Sequence, residues 1–169
     1  MHRKIGISIQ PLYTCLDSIP ILAKIWCDVL GRHWLPCITT TKIAHDLSHN
    51  ISKDTLPITL VAKQGSQPIG MLTLCEKDGL NSQLTPWLSD FVISKSSQGQ
   101  GVGNLLMNTA LDYTNNMGYK KLNLFTFDQN LPRYYKRYGW ETIGNEVYKA
   151  HSVTIMQIDI SQHILKKNN

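Results

Sequence analysis

The chain is poor in charge, has no paired cysteine motif and has no long apolar run. Only 17% of its 169 residues are charged and 42% are hydrophobic, which is ordinary for one folded domain and argues against disorder away from the ends. No repeat, linker or low-complexity tract interrupts it, so residues 1–169 read as a single domain, with 161–169 as a frayed tail. No apolar stretch approaches the roughly 20 residues of a membrane-spanning helix, and Met1–Ile7 lacks the apolar core of a signal peptide. The expectation is a cytoplasmic protein with no membrane partner. Cys15, Cys27, Cys37 and Cys75 show no C-x-x-C spacing, which leaves unpaired, mostly buried thiols packing in the core. The net charge of +5 is scattered, with one dense cluster at Arg133, Lys136 and Arg137, so no nucleic-acid surface is expected.

What the chain does have is glycine in one informative place. Ser96–Met107 (SSQGQGVGNLLM) follows the apolar run Phe91-Val92-Ile93 and opens a helix-patterned segment ending near Met117. Glycines let a backbone turn with positive φ and let a ligand approach the peptide N–H groups. At a helix start those N–H groups lack intrahelical partners and the peptide dipoles favour negative charge, so phosphate is the natural occupant. A P-loop is excluded, because Gly103 is followed by Asn104-Leu105 rather than Lys and Ser or Thr. The dinucleotide fingerprint fails as well, since Asn104 stands where a third glycine is required.

Along the chain, periodicity gives an alternating order. Lys4–Gln10 reads as a strand; Asp17 is positioned to cap a helix from Ser18 to about Leu30, stopped by Gly31; Thr40 or Thr41 begins a shorter helix to Asn50. Strands follow at Ile58–Ala62 and Ile69–Cys75 around a Gly65-Ser66 turn, then a loop from Asp78 to Thr85 and a strand at Trp87–Ile93. After the glycine loop and its long helix come a strand at Lys121–Thr126, a short Tyr-rich helix, and final strands at Glu141–Val147 and Val153–Ile160. Pattern alone makes this a mixed α and β domain.

Two motifs together carry a resemblance. Gln98-Gly99-Gln100-Gly101-Val102-Gly103 has the form Q-x-x-G-x-G, and Tyr134-Tyr135-Lys136-Arg137-Tyr138-Gly139-Trp140 follows at the appropriate distance. In this order they resemble the acetyl-coenzyme A signature and the F-Y-x-K-x-G-F/W segment of the GNAT family of N-acetyltransferases. The resemblance covers most of the chain, strongest from Pro86 to Trp140 and weak before Thr55. It implies an α/β fold with a mixed, mostly antiparallel central sheet and helices on both faces. It also implies acetyl-coenzyme A as co-substrate, no metal, a monomer or homodimer, and a primary amine of a small-molecule or peptidic acceptor that attacks the thioester directly in a ternary complex. The non-enzymatic alternative is an acyl-coenzyme A sensor, which would tolerate losing Tyr135. The Arg133, Lys136 and Arg137 cluster fits an anionic cofactor as well as it fits solvent.

The resemblance assigns roles residue by residue. Gln98, Gly99, Gln100, Gly101, Val102, Gly103 and Asn104 would hold the pyrophosphate. Phe91, Val92 and Ile93 would pair with the pantetheine arm, one of their N–H groups stabilising the oxyanion. Tyr135 would give a proton to the departing sulfur, and an ordinary phenol pKa of about 10 keeps that proton in place at neutral pH. For the base, Glu76, Asp90, Asp128 or a water chain are open; Asp90 is favoured because the adjoining apolar run would desolvate it. Asn130 would cap the Tyr-rich helix or touch the cofactor, and Pro132 favours the cap. Gln98 stands where the family more often has Arg, which removes a charge-assisted phosphate contact but leaves the backbone donors.

His45-Asp46-Leu47-Ser48-His49 spaces two histidines at i and i+4, as in the H-E-x-x-H zinc motif. Asp46 replaces the glutamate and no third ligand is marked, so an amphipathic, partly exposed helix is expected. The first two helices flank the acceptor pocket in relatives, making Trp26, Trp34, His45 and His49 substrate candidates, although Trp26 fits the core equally well. Nothing in the chain selects the acceptor.

Overall fold

Short runs rich in β-branched and apolar residues, Ile58–Gln64 (ITLVAKQ) and Gln67–Cys75 (QPIGMLTLC) among them, are buried almost without interruption, as strands covered on both faces must be. In the computed structural model, which describes residues 6–80 and 82–167, seven strands form one mixed sheet in the order β1-β2-β3-β4-β5-β7-β6. The strands are β1 (Ile7–Pro11), β2 (Ile58–Gln64), β3 (Gln67–Cys75), β4 (Trp87–Ile93), β5 (Lys121–Thr126), β6 (Glu141–Tyr148) and β7 (His151–Asp159). The helices are α1 (Ile19–Trp26), α2 (Arg32–Trp34), α3 (Thr40–Leu47), α4 (Val102–Asn116), α5 (Leu131–Lys136) and α6 (Ile160–Lys167). The chain divides into two compact units, one of residues 1–74 with 90–110 and one of residues 75–89 with 111–169. No helix among the described residues is long and apolar enough to cross a membrane.

In the first unit β1, β2 and β3 are antiparallel, with Ile9 opposite Ala62 and Leu60 opposite Leu72. Leu60, Val61, Ala62, Met71, Leu72 and Leu74 are fully buried in its core, as are Leu22 and Ala23 of α1. Helix α3 begins at Thr40, as expected, and ends at Leu47, short of Asn50; it is capped by Thr39, whose hydroxyl accepts from the Lys42 N–H at 3.1 Å.

The first helix departs from expectation at both ends. Asp17 lies within a 3₁₀ turn and caps nothing, and Ser18, itself in helical conformation, makes no side-chain cap. Nor does Gly31 stop the helix. Residues 27–31 widen into a π turn, Gly31 keeps helical angles of −58° and −41°, and α2 continues to Trp34. The break comes at Leu35, whose φ of −137° is what the following Pro36 enforces by excluding the helical region for its predecessor. Gly31 is required for packing instead: a Cβ there would lie 3.0 Å from both Trp26 and Ile38. None of the four cysteines is in a disulfide, but only Cys15 is fully buried; Cys37 is exposed, which corrects the expectation of core packing for it.

In the second unit β5 and β7 are antiparallel from Lys121 opposite Asp159 to Thr126 opposite Thr154, and β6 pairs with β7. The start of β4 joins β5 in parallel at Trp87 and Asn123. Asn123 secures that junction: its backbone N–H and its Nδ2 both donate to the Pro86 carbonyl, at 3.1 and 2.9 Å, while its Oδ1 accepts from Gln157 at 2.8 Å. Trp87 is 2% exposed and donates its indole N–H to the Leu84 carbonyl. The stretch expected to fray begins as helix α6, whose Ile160 N–H is bound by the Lys120 carbonyl; Asn168 and Asn169 lie outside the described residues, as do Lys4 and Ile5 of the first expected strand.

The β6–β7 connection is tighter than its sequence suggests. Tyr148 pairs with His151 across a two-residue turn in which Lys149 and Ala150 have φ of 47° and 64°. Such a turn ordinarily uses Asn-Gly, and neither residue here favours the left-handed region. Lys149→Asn combined with Ala150→Gly is expected to raise unfolding free energy by about 1 to 2 kcal/mol, read from urea denaturation, without altering activity.

Candidate active site

The glycine loop has the geometry of an anion cradle. Gly99 and Gly101 take φ of 73° and 83°, both are exposed, and a Cβ built on either meets nothing within 4 Å. Their identity therefore answers to backbone conformation rather than to space. The Gly101 carbonyl accepts from the Leu105 N–H at 3.1 Å, and α4 starts at Val102, so the N–H groups of Val102, Gly103 and Asn104 form the open first turn. The glutamines brace the loop from within: Gln98 Nε2 donates to the Ile93 carbonyl at 3.0 Å and Gln100 Nε2 to the Ser96 carbonyl at 2.9 Å. The side chain at position 98 is thus turned to its own backbone, which leaves peptide N–H groups and the helix dipole as the loop's means of meeting an anion.

Strand β4 carries an irregularity immediately upstream. Asp90 has φ of 51°, a left-handed residue inside a strand, and Phe91, Val92 and Ile93 follow it with Val92 buried. The Asp90 carboxylate accepts the Trp26 indole N–H at 2.9 Å, and the Thr73 hydroxyl also favours its charged form. Thr73 in turn lies 2.8 Å from the Thr59 hydroxyl, both buried. A left-handed non-glycine residue costs about 1 to 2 kcal/mol. The Trp26 hydrogen bond opposes that cost. Burial pushes the Asp90 pKa above the usual aspartate value; the Trp26 and Thr73 hydrogen bonds oppose this and the Asp46 charge adds to it.

Tyr135 lies on α5, 6% exposed, with its ring 5.3 Å from Tyr134 and 6.0 Å from Trp140. Burial, with a smaller contribution from Tyr134, holds its phenol well above the ordinary value, so it keeps its proton throughout the neutral range. Tyr134 is pushed up to about 12 by burial and by its Tyr138 neighbour. The Tyr135 carbonyl collects the N–H groups of Tyr138 and Trp140 and closes the helix into the Gly139 turn. Asn130 makes no side-chain cap on α5, contrary to expectation; its own N–H is taken by Asp128 Oδ1 at 2.9 Å, an Asx turn that draws the residue away from the capping geometry.

Trp26 and Trp34 are 5% and 8% exposed, inside the first unit. His45 and His49 are exposed and stacked edge-on at 4.7 Å, with His49 Nδ1 2.8 Å from the His45 carbonyl. Among the described residues no group of three or more His, Cys, Asp and Glu side chains is arranged to hold a metal. Glu76 and Asp128 are exposed just beyond β3 and β5. Sequence reasoning did not find Thr59 and Thr73, nor Trp26 as the donor to Asp90. These contacts join residues 14 and 64 positions apart, and no local pattern marks them.

The family model of the acetyltransferase (GNAT) domain matches residues 36–159, well over half of the chain. The chain belongs to the GNAT acetyltransferase family. Solved structures share its fold at low identity. A spermidine N-acetyltransferase chimera from Vibrio cholerae and hSSAT is 17% identical, with 94% of this chain and 98% of that one covered and a TM-score of 0.72. Ard1 from Thermoplasma volcanium is 16% identical, with 92% and 98% covered and a TM-score of 0.70. An aminoglycoside 6'-N-acetyltransferase complexed with coenzyme A is 14% identical, with 92% and 97% covered and a TM-score of 0.67. No curated protein matches the chain in sequence. As a GNAT acetyltransferase it uses acetyl-coenzyme A.

The raised Asp90 pKa gives this acetyltransferase a pH signature. A carboxyl whose pKa is raised on folding contributes stability below its unfolded value, near 4, and that contribution is lost as pH rises through the folded value. Asparagine tolerates positive φ, accepts the Trp26 N–H and carries no charge at any pH. Asp90→Asn is therefore expected to melt above the parent at pH 7, the gap closing as pH falls towards the ordinary aspartate range. Parallel melting curves from pH 4 to 8, with the parent as stable as the variant throughout, would contradict this.

Proposed function

We propose that the chain transfers the acetyl group of acetyl-coenzyme A to a primary amine of a small-molecule or peptidic acceptor, by direct attack within a ternary complex. The observation that carries this is the loop from Gln98 to Asn104: two left-handed glycines, glutamines turned inward, and three open N–H groups at the start of a long helix. In this reading the loop holds the pyrophosphate, and the backbone of Phe91, Val92 and Ile93 pairs with the pantetheine arm and offers an N–H to the thioester oxygen. Asn130, exposed before α5, adds a polar contact to the cofactor.

The amine nitrogen attacks the thioester carbonyl carbon, the tetrahedral oxyanion is held by a peptide N–H, and the carbon–sulfur bond breaks. The ammonium loses its proton to a carboxylate or water, and Tyr135 gives its phenolic proton to the departing thiolate. Burial keeps the Tyr135 phenol protonated throughout the neutral range, so it holds the proton that this role requires. Solved neighbours are acetyltransferases of spermidine and of aminoglycosides, both rich in primary amines, and such polyamines are the first acceptors to try here. Four cysteines outside any disulfide fit a reducing, cytoplasmic setting.

Isothermal titration of acetyl-coenzyme A into the parent is expected to show binding that Gly101→Trp abolishes, since tryptophan neither adopts φ of 83° readily nor leaves the cradle open. Absence of binding to the parent would remove the reading. Tyr135→Phe is expected to bind acetyl-coenzyme A like the parent and to turn over about 10²-fold or more slower. Parental turnover in that variant would refute the acid role.

A further inference from the structure

The carboxylate at position 90 is tied to its own unit more completely than a proton acceptor needs to be. The Trp26 indole N–H of α1 donates to it at 2.9 Å, and the Thr73 hydroxyl of β3, itself 2.8 Å from the Thr59 hydroxyl of β2, favours its charged form. Thr59, Thr73 and Trp26 are 1%, 2% and 5% exposed, so water does not compete for these donors. Trp26 is itself fixed, lying against Gly31 where a Cβ would come within 3.0 Å of its ring. The charged groups near Asp90 are few. Asp46 on α3 acts on it electrostatically and is ion-paired with Lys42.

At the same residue the backbone is left-handed, and the next three residues are those whose peptide groups the proposed function assigns to the acyl donor. We propose that Asp90 is a positioning residue: its carboxylate, clasped by Trp26 and Thr73, locks the left-handed kink that sets the direction of the Phe91, Val92 and Ile93 peptide groups, and it does not accept the proton of the attacking amine. This rests on the acetyltransferase reading and replaces the expectation that Asp90 is the base.

The test compares Asp90→Ala, Asp90→Asn, Trp26→Phe and Thr73→Val with the parent by two readouts. The first is hydrogen exchange of the Phe91, Val92 and Ile93 amides, which requires no acceptor. The second is transfer from acetyl-coenzyme A to spermidine or kanamycin across pH 6 to 9. Asp90→Ala is expected to speed exchange at those amides and to lower kcat at least tenfold with the amine KM little changed. Asp90→Asn, which accepts from Trp26 and tolerates positive φ, is expected to recover most of both losses with the pH profile in place. Trp26→Phe removes the indole donor and Thr73→Val, close in volume, removes the neighbouring hydroxyl, and both are expected to fall between. If Asp90→Ala exchanges like the parent, the clasp is refuted. If Asp90→Asn is as slow as Asp90→Ala and both recover at high pH, where the amine is already neutral, Asp90 is the base and the proposal fails. If the parent neither binds acetyl-coenzyme A nor acetylates either amine, the acetyltransferase reading falls while the exchange data still decide the clasp.

Discussion

Strand β4 has to satisfy two demands that a regular strand cannot. Its first residues are pinned by the Asn123 side chain and backbone to the Pro86 carbonyl, within the unit that also holds Tyr135. Its last residues belong to the unit that holds the glycine loop, and the change falls at Asp90, where φ is 51°. A β ladder enforces alternation of faces along its whole length. One left-handed residue breaks that alternation locally, and the Trp26 indole holds its carboxylate in place. The loop from Gln98 onward is anchored to the same segment, because Gln98 donates to the Ile93 carbonyl.

Much of the fold was legible because it is written in local pattern. Trp87–Ile93 and Lys121–Thr126 are strands with the bounds that their apolar runs suggested, and the Gly65-Ser66 turn joins β2 and β3 as read. The glycine loop was legible for the same reason, since left-handed backbone and open N–H groups leave a compositional mark. Three features left none. The first helix ran past Gly31 because a glycine in helical conformation looks the same in sequence as one that ends a helix, and Pro36 was the true stop. The β6–β7 turn went unseen because Lys149-Ala150 does not carry the residues that such a turn prefers. The Asp90 clasp assembles residues from three strands and a helix, and only tertiary structure brings them together.

The chemistry of the site relies on neutral groups more than on formal charge. Gln98 and Gln100 commit their amides to the loop itself, which leaves the peptide dipoles of α4 to meet an anion. Tyr135 is kept neutral by burial, as the acid role proposed for it requires. The scarcity of charge in the composition, 17% of the residues, is consistent with a site built from backbone and burial.

The contact of Gly31 with Trp26 and Ile38 has a consequence for descent. Gly31 holds ordinary helical angles, so nothing in the backbone forbids another residue there; only the faces of Trp26 and Ile38 do. A lineage in which Trp26 became smaller would release that restriction and at once deprive Asp90 of an indole donor. Positions 26, 31, 38 and 90 should therefore change together among homologues or not at all, a block of covariation joining helix α1 to strand β4.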